Sequence, residues 1–542
     1  MSHSPLFRSL SRALNAARRA NHEAAGLAPP RIVASSNWTR RRFLATAAAA
    51  APAVILGGGI FGDARGDTAR NPGKNISVAV IGGGIAGLNA ALHLKKADVK
   101  VSVFEASRRL GGRIMSQTGA VGEGLITELG AEFINTDHED MLNLIDEFGL
   151  PLFNRLESGT DANAPTSGFY FEGKVRREAE IAAHLRPLAQ QIAADAALLD
   201  EDYEKHLAKF DLLSVAGYLD QHAKLIPEPY IRKLVENAIR TEYGVEPAQS
   251  TAMQLLFNLP TVDGESVEML GHSDEALTVQ GGNSRIIDGL AAALGDRIHL
   301  RKTLKTLQSK GPGGFRLEFE DGHTEIADYV VVAIPFHALR KVQLDVELPE
   351  DVRQFINELE LGSNEKLIAG FSRKIWRKPQ GFAGEAWTDL GFSEIWDATQ
   401  RQDQRKDGAL TFYFGGSEVA AADQTASDLQ TSGHRHVTQL DRYIPGAKDA
   451  ATGKFLRTSW TKNASTHGAY SSFKPGQLSR FGSFMWVDAE DPAEMQQARV
   501  GNLLFAGEHL SDAYYGFMNG AAETGRLAAQ SIVASLIEIP QT

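Results

Sequence analysis

The chain has 542 residues, 43% hydrophobic and 23% charged, which is enough for two domains with substantial cores and too apolar for general disorder. Its net charge of −11 gives no reason to expect a nucleic acid or an anionic membrane as partner. It contains no cysteine, which excludes disulfides, thiolate metal sites, cysteine nucleophiles and any group tethered through a cysteine sulfur.

In chain order the first feature is Thr39-Arg40-Arg41-Arg42-Phe43-Leu44, followed by an Ala-rich apolar stretch from Ala45 to about Ile60. It resembles a twin-arginine export signal behind a long leader, with cleavage expected near Ala64, the periplasm or exterior as destination and the twin-arginine translocase as partner during export. The stretch is too short and too weakly apolar for a membrane span, and no later segment has the length for one, so no membrane anchor is expected. Gly57-Gly58-Gly59-Ile60-Phe61-Gly62 has a nucleotide-binding spacing, but no strand-turn-helix unit can be drawn around it and no nucleotide is expected there.

Ile76–Arg113 is different. A short apolar strand (Ile76, Val78, Val80, Ile81) runs into Gly82-Gly83-Gly84-Ile85-Ala86-Gly87, then a helix-patterned run to about Lys96 and a second strand, Val99–Phe104, ending at Glu105. Gly82 allows the tight turn, Gly84 lets a pyrophosphate approach the backbone, and Gly87 lets the helix pack close to the strand. The helix N-terminus offers unpaired N–H groups to phosphate, and Glu105 can accept from a ribose hydroxyl.

Further on come Glu139–Phe148, Glu178–Leu213 and Val215–Arg240 with helical periodicity, a helix at Ser284–Leu294, a strand at Ile298–Leu300, hairpin turns near Gly311–Gly314 and Asp321-Gly322, and a buried strand Tyr329–Ile334. Beyond Leu348 the pattern predicts a helix over Asp351–Leu359 and strands at Leu367–Phe371, Glu394–Asp397 and Ala409–Phe414, and near the end an Ala-rich helix over Glu523–Ile537. His138-Glu139-Asp140 at a helix start and His434-Arg435-His436 in a polar helix are not read as metal ligands, and no metal is expected.

Several separated motifs occur in a fixed order: Gly111-Gly112-Arg113, Glu128-Leu129-Gly130-Ala131-Glu132, Phe505-Ala506-Gly507-Glu508 and Gly516-Phe517-Met518-Asn519-Gly520. Together they resemble the FAD-dependent amine oxidase family, which includes monoamine, polyamine and L-amino acid oxidases, over about Ile76 to Leu536. The resemblance implies an α/β fold: a Rossmann-like FAD-binding domain in three segments (76–150, 270–347 and 463–538) with an inserted α+β substrate-binding domain (151–269 and 348–462). Residues 1–64 are then export signal and leader, and 65–75 a linker.

The resemblance also implies roles. Lys366 reaches the flavin N5 through a water, Trp460 packs by the flavin ring, and Tyr470 and Phe517 form two aromatic walls that steer an amine to the flavin face. Gly82, Gly84, Ile85, Ala86, Gly87, Glu105, Ala106, Gly112, Gly130, Ala131 and Glu132 belong to the cofactor site. Arg113 is implied as a phosphate partner, Leu304 as an adenine contact, Gly507 and Glu508 as pyrophosphate and ribityl neighbours, and Met518 as a ring neighbour. Ala469 stands where monoamine oxidases carry the cysteine that bonds FAD, so noncovalent FAD is expected.

The leading expectation is oxidative deamination of a primary mono- or diamine to an imine, hydrolysed to aldehyde and ammonia, with O2 reduced to hydrogen peroxide. The alternative is the same chemistry on an L-amino acid, particularly a basic one. Gly130–Ile134 lacks the arginine that often grips a carboxylate, Glu132 could attract a distal cation instead, and Arg240 is the candidate carboxylate clamp from another element. A flavin-dependent desaturase and a flavoprotein without turnover are the remaining readings, and a homodimer is left open.

Overall fold

The computed structural model describes residues 76–538 apart from 157–163, 272, 312–313, 426–427 and 490–493. The export-signal segment, the linker and the 57–62 glycine motif lie outside the described residues. Among the described residues no helix is long and apolar enough to cross a membrane.

The strand Ser77–Ile81 is apolar after Ser77 and β-branched at three of its five positions, the composition of a strand covered on both faces. It lies at the centre of a six-stranded sheet in the order Ile298–Leu300, Lys100–Glu105, Ser77–Ile81, Tyr329–Val332, Leu503–Phe505, Arg499–Val500, all parallel except the last edge. Residues from three distant stretches of chain thus share one sheet, Val331 pairing with both Val80 and Leu504. The helix Ile85–Lys96 follows the glycine turn, and the C-terminal helix Met518–Glu538 packs on it. A Cβ on Gly525 would stand 2.1 Å from the Ala86 oxygen, and Asn89 Nδ2 donates to Ala522 O at 2.7 Å.

The second large sheet has seven strands in the order Ala451–Arg457, Asn364–Phe371, Gly408–Gly415, Glu394–Asp397, Glu385–Thr388, Ser167–Phe171, Lys174–Arg176. Its register places Tyr413 opposite Lys366 on one side and opposite Glu394 on the other. Because side chains alternate along a strand, this row of three, with Trp396 two residues on, presents one face to the same space. The helical run Glu178–Leu213 is two helices, Glu178–Glu201 and Tyr203–Asp211; Asp202 is extended between them and accepts from Lys205 N to cap the second.

Candidate active site

The glycine turn is built as its spacing demands. Gly82 has φ +111° and a Cβ there would meet the Ala333 oxygen at 2.4 Å; one on Gly87 would meet the Gly82 oxygen at 2.1 Å. A Cβ on Gly84 would meet nothing within 4 Å, so the chain leaves room in front of the helix N-terminus, which has no side-chain cap and no acidic residue in its first turn. That is a cradle for an anion. Glu105 also holds the turn in shape. Its Oε2 accepts from Gly83 N and its Oε1 from Ser107 N, both at 2.7 Å, so the carboxylate braces the loop and keeps lone pairs for a ribose.

In front of this turn opens a cavity of about 730 Å³. Every residue singled out above for cofactor or substrate lines it except Gly87, whose place is packing against the strand, and Arg240. Leu304 and Lys302 lie at its nucleotide end. Midway, Arg113 Nη1 donates at 2.6 Å to both Glu508 Oε1 and Ala469 O, so part of the guanidinium expected on a phosphate is held by protein. Glu508 also accepts from the Ser471 hydroxyl and from Gly516 N. Burial alone would push the Glu508 carboxyl up, but Arg113, His509 and Ser471 outweigh it and hold it below its ordinary range.

Lys366 lies in the strand Asn364–Phe371, buried with its partner Glu132. Nζ donates to Glu128 O at 3.2 Å, Gly130 O at 2.8 Å and Glu132 Oε2 at 2.9 Å, and the same Glu132 oxygen accepts from Trp396 Nε1 at 3.1 Å. This corrects the expectation that Glu132 attracts a distal cation of the substrate: its carboxylate is taken by Lys366 and Trp396. The aromatic walls number more than two. Trp460 is fixed by donating Nε1 to Leu129 O at 2.8 Å. Tyr470 bonds Tyr413 and the Thr241 carbonyl through its hydroxyl, and burial holds both phenols far above their ordinary range, neutral at any working pH. Phe517 packs edge-on against His138 at 5.2 Å. His138, declined as a metal ligand, is instead a cavity wall; burial lowers its pKa to about 3 and Nδ1 accepts from Asn135 N, so the ring is neutral.

The sequence reading missed an acidic end of the cavity. Glu242, Glu275 and Glu394 all line it. Burial, then repulsion from Glu385, lifts Glu242 to about 7; burial and mutual repulsion lift Glu275 and Glu394 well above the carboxylate range. Glu394 is 6% exposed, and no described residue donates a hydrogen bond to its carboxylate. The compensating cation is Arg155, 3.6 Å from Glu275 and 3.8 Å from Glu385, stacked on Phe133 at 3.8 Å. A signal existed in Glu394-Ile395-Trp396, where a carboxylate and an indole share one strand face. Arg240 is not a carboxylate clamp: it is bound by Glu246 at 3.0 Å and Asn237 at 2.9 Å, outside the cavity.

Residues 85–533 match the model of the flavin containing amine oxidoreductases. The flavin-containing amine oxidase A of Sus scrofa is 23% identical over 87% of this chain and 88% of its own, and polyamine oxidase 2 of Arabidopsis thaliana is 25% identical over 86% and 89%. Among solved structures, wild-type putrescine oxidase bound to putrescine superposes with a TM-score of 0.69 at 23% identity, covering 85% of this chain and 99% of that one. Cyclohexylamine oxidase from Brevibacterium oxydans IH-35A superposes at 0.67 and 22% identity, with the same coverage. With the glycine cradle, the braced Glu105 and a cavity running from nucleotide end to aromatic walls, the chain belongs to the flavin-containing amine oxidoreductases and is an FAD-dependent amine oxidase.

Proposed function

We propose that this enzyme oxidises primary amines that carry a second cationic group, diamines or polyamines, releasing aldehyde and ammonia and passing the electrons to O2 to give hydrogen peroxide. The observation that carries the reading is the set of three cavity acids, Glu242, Glu275 and Glu394, buried and close enough to repel one another when ionised, with Arg155 the guanidinium facing them among the described residues. Such a set gives up its protons most readily beside a bound cation and offers a carboxylate no counter-charge, which disfavours an amino acid presented by its α-carboxylate. The polyamine oxidase and the putrescine complex among the relatives support the same direction.

Bound FAD supplies the hydride acceptor. The chain does the rest: Gly82, Gly84, Ile85 and Ala86 receive the pyrophosphate, Glu105 and Ala106 the ribose, and Leu304 the adenine end. Gly112, Gly130, Ala131, Gly507 and Met518 shape the middle of the cavity. Tyr470, Phe517 and Trp460 exclude water around the amine that must be neutral to react, and their faces attract it while it is still charged. Putrescine, spermidine, butylamine, benzylamine, L-lysine and L-arginine, each supplied with air to the yellow protein, test this by oxygen uptake. Diamines should give the highest kcat/KM; equal rates on butylamine and putrescine would overturn the second-cation reading, and a flavin that no amine reduces would overturn amine turnover itself.

A further inference from the structure

A lysine in the wall of a cavity that receives cations poses an electrostatic problem. At an effective dielectric near 20, an unneutralised ammonium about 8 Å from a bound cation weakens its binding roughly tenfold or more. Lys366 lines the same cavity as the acidic cluster and the aromatic walls.

The turn 128–132 answers it. Two of its carbonyls and the Glu132 carboxylate take the lysine at 3.2, 2.8 and 2.9 Å, and an ammonium has three N–H bonds to give. Glu132 is itself held: its backbone oxygen accepts from Asn283 Nδ2 at 2.8 Å, and Oε2 accepts from Trp396 Nε1 at 3.1 Å. Trp396 packs edge-on against Tyr413 at 5.1 Å and places its ring 5.1 Å from the Lys366 ammonium. Glu128 cannot substitute, because its carboxylate pairs with Arg401 at 2.9 Å and accepts from Ser116 Oγ. Glu132 is the one carboxylate ion-paired with Lys366 among the described residues.

We propose that Glu132 is the counter-charge that lets Lys366 stand in the cavity wall without repelling a cationic substrate: a positioning residue acting through the lysine and, through the shared oxygen, on the Trp396 wall. The proposal rests on the amine-oxidase reading of the cavity.

The test uses the FAD-loaded full chain and the quaternary dication 1,4-bis(trimethylammonio)butane, which has no N–H to lose, titrated by the change in flavin absorption. Glu132→Gln should weaken the dication about tenfold, Glu132→Asp should keep most of the affinity, and Glu132→Gln with Lys366→Met should return to within about threefold of wild type, since removing the ammonium removes the repulsion. A Glu132→Gln protein that binds like wild type overturns the proposal. So does a double variant as weak as Glu132→Gln, which is the result expected if Glu132 touches the ligand directly. If Glu132→Gln does not load FAD, Lys366→Met alone decides: with Glu132 left unneutralised the dication should bind about tenfold more tightly, and unchanged affinity overturns the proposal. Anaerobic bleaching of the wild-type flavin by putrescine tests the underlying reading separately from the variants.

Discussion

On the proposed diamine reading, substrate choice turns on Glu394. Its carboxylate is buried, faces the cavity and has no donor among the described residues, so a bound ammonium would supply the hydrogen bonds it lacks. Replacing it by Gln should lower kcat/KM for putrescine by about 10- to 100-fold, the size of a lost charged hydrogen bond, while butylamine changes by less than about threefold. Equal losses on both amines would mean that Glu394 supports the fold and not the distal cation. Glu242 adds a pH dependence. With its carboxyl lifted to about 7 by burial and Glu385, it is protonated below that pH and attracts a cation only above it. The ratio of kcat/KM for putrescine to that for butylamine, in which the deprotonation common to both amines largely cancels, should therefore rise as pH increases through about 7. A ratio flat from pH 6 to 8 would exclude the carboxylate from binding.

At the scale of the element, the strand-turn-helix unit makes opposite predictions for two glycines three residues apart. Gly84 has φ −78°, which alanine adopts freely, and its added methyl would project into open cavity. Gly84→Ala should fold with an unchanged melting temperature yet hold FAD at least about tenfold more weakly, because the methyl stands where the pyrophosphate must approach. Gly87→Ala puts the methyl 2.1 Å from the Gly82 oxygen and 3.0 Å from Val80, so the cost of about 1–3 kcal/mol falls on the fold, and the apoprotein should melt lower. Calorimetry beside a flavin-release assay separates the two. This unit was legible in the sequence because its geometry is local: turn, helix start and acidic strand end all fall within Ile76–Glu105. The substrate face was less so. Ser167–Phe171 pairs with Glu385–Thr388 across more than two hundred residues, and no periodicity announces such a partner. Lys366 was found by its motif, whereas Tyr413, opposite it in register, and Glu394, opposite Tyr413 on the next strand, carry no motif and become visible only when three strands lie side by side. Glu132 was found but given the wrong partner, since local sequence shows a carboxylate near the site and not which cation reaches it first.

Over the whole molecule the buried acids set how stability varies with pH. Glu242 and Glu418 are lifted to about 7 and Glu523 to about 8, each chiefly by burial, against about 4.3 in an unfolded chain. A carboxyl whose folded pKa is raised binds more protons folded than unfolded between the two values, so its contribution to stability is present below about pH 4.3 and is lost as pH rises toward the folded pKa. Glu508 runs the other way: held low by Arg113 and Ser471, its contribution is present above its unfolded pKa and is lost as pH falls. Below about pH 6.5 the raised carboxyls are opposed by His93, His138, His436 and His509, which burial keeps neutral with pKa values lowered to about 3 or 4; above it the carboxyls dominate, and the FAD-loaded enzyme should melt progressively lower from pH 7 to 8.5. Glu523 lies far from the acidic end of the cavity, in the C-terminal helix, where it accepts from Ser511 Oγ at 2.6 Å and feels Asp140. Glutamine resembles its protonated form and can still accept from Ser511, so Glu523→Gln should match wild type near pH 4, melt higher at pH 7 and exceed it by a wider margin at pH 8.5, giving a shallower slope. Parallel melting curves for the two proteins across that range would show that Glu523 is already ionised in the fold, balanced by Arg526, which pairs with Asp140 and Asp488 beside it.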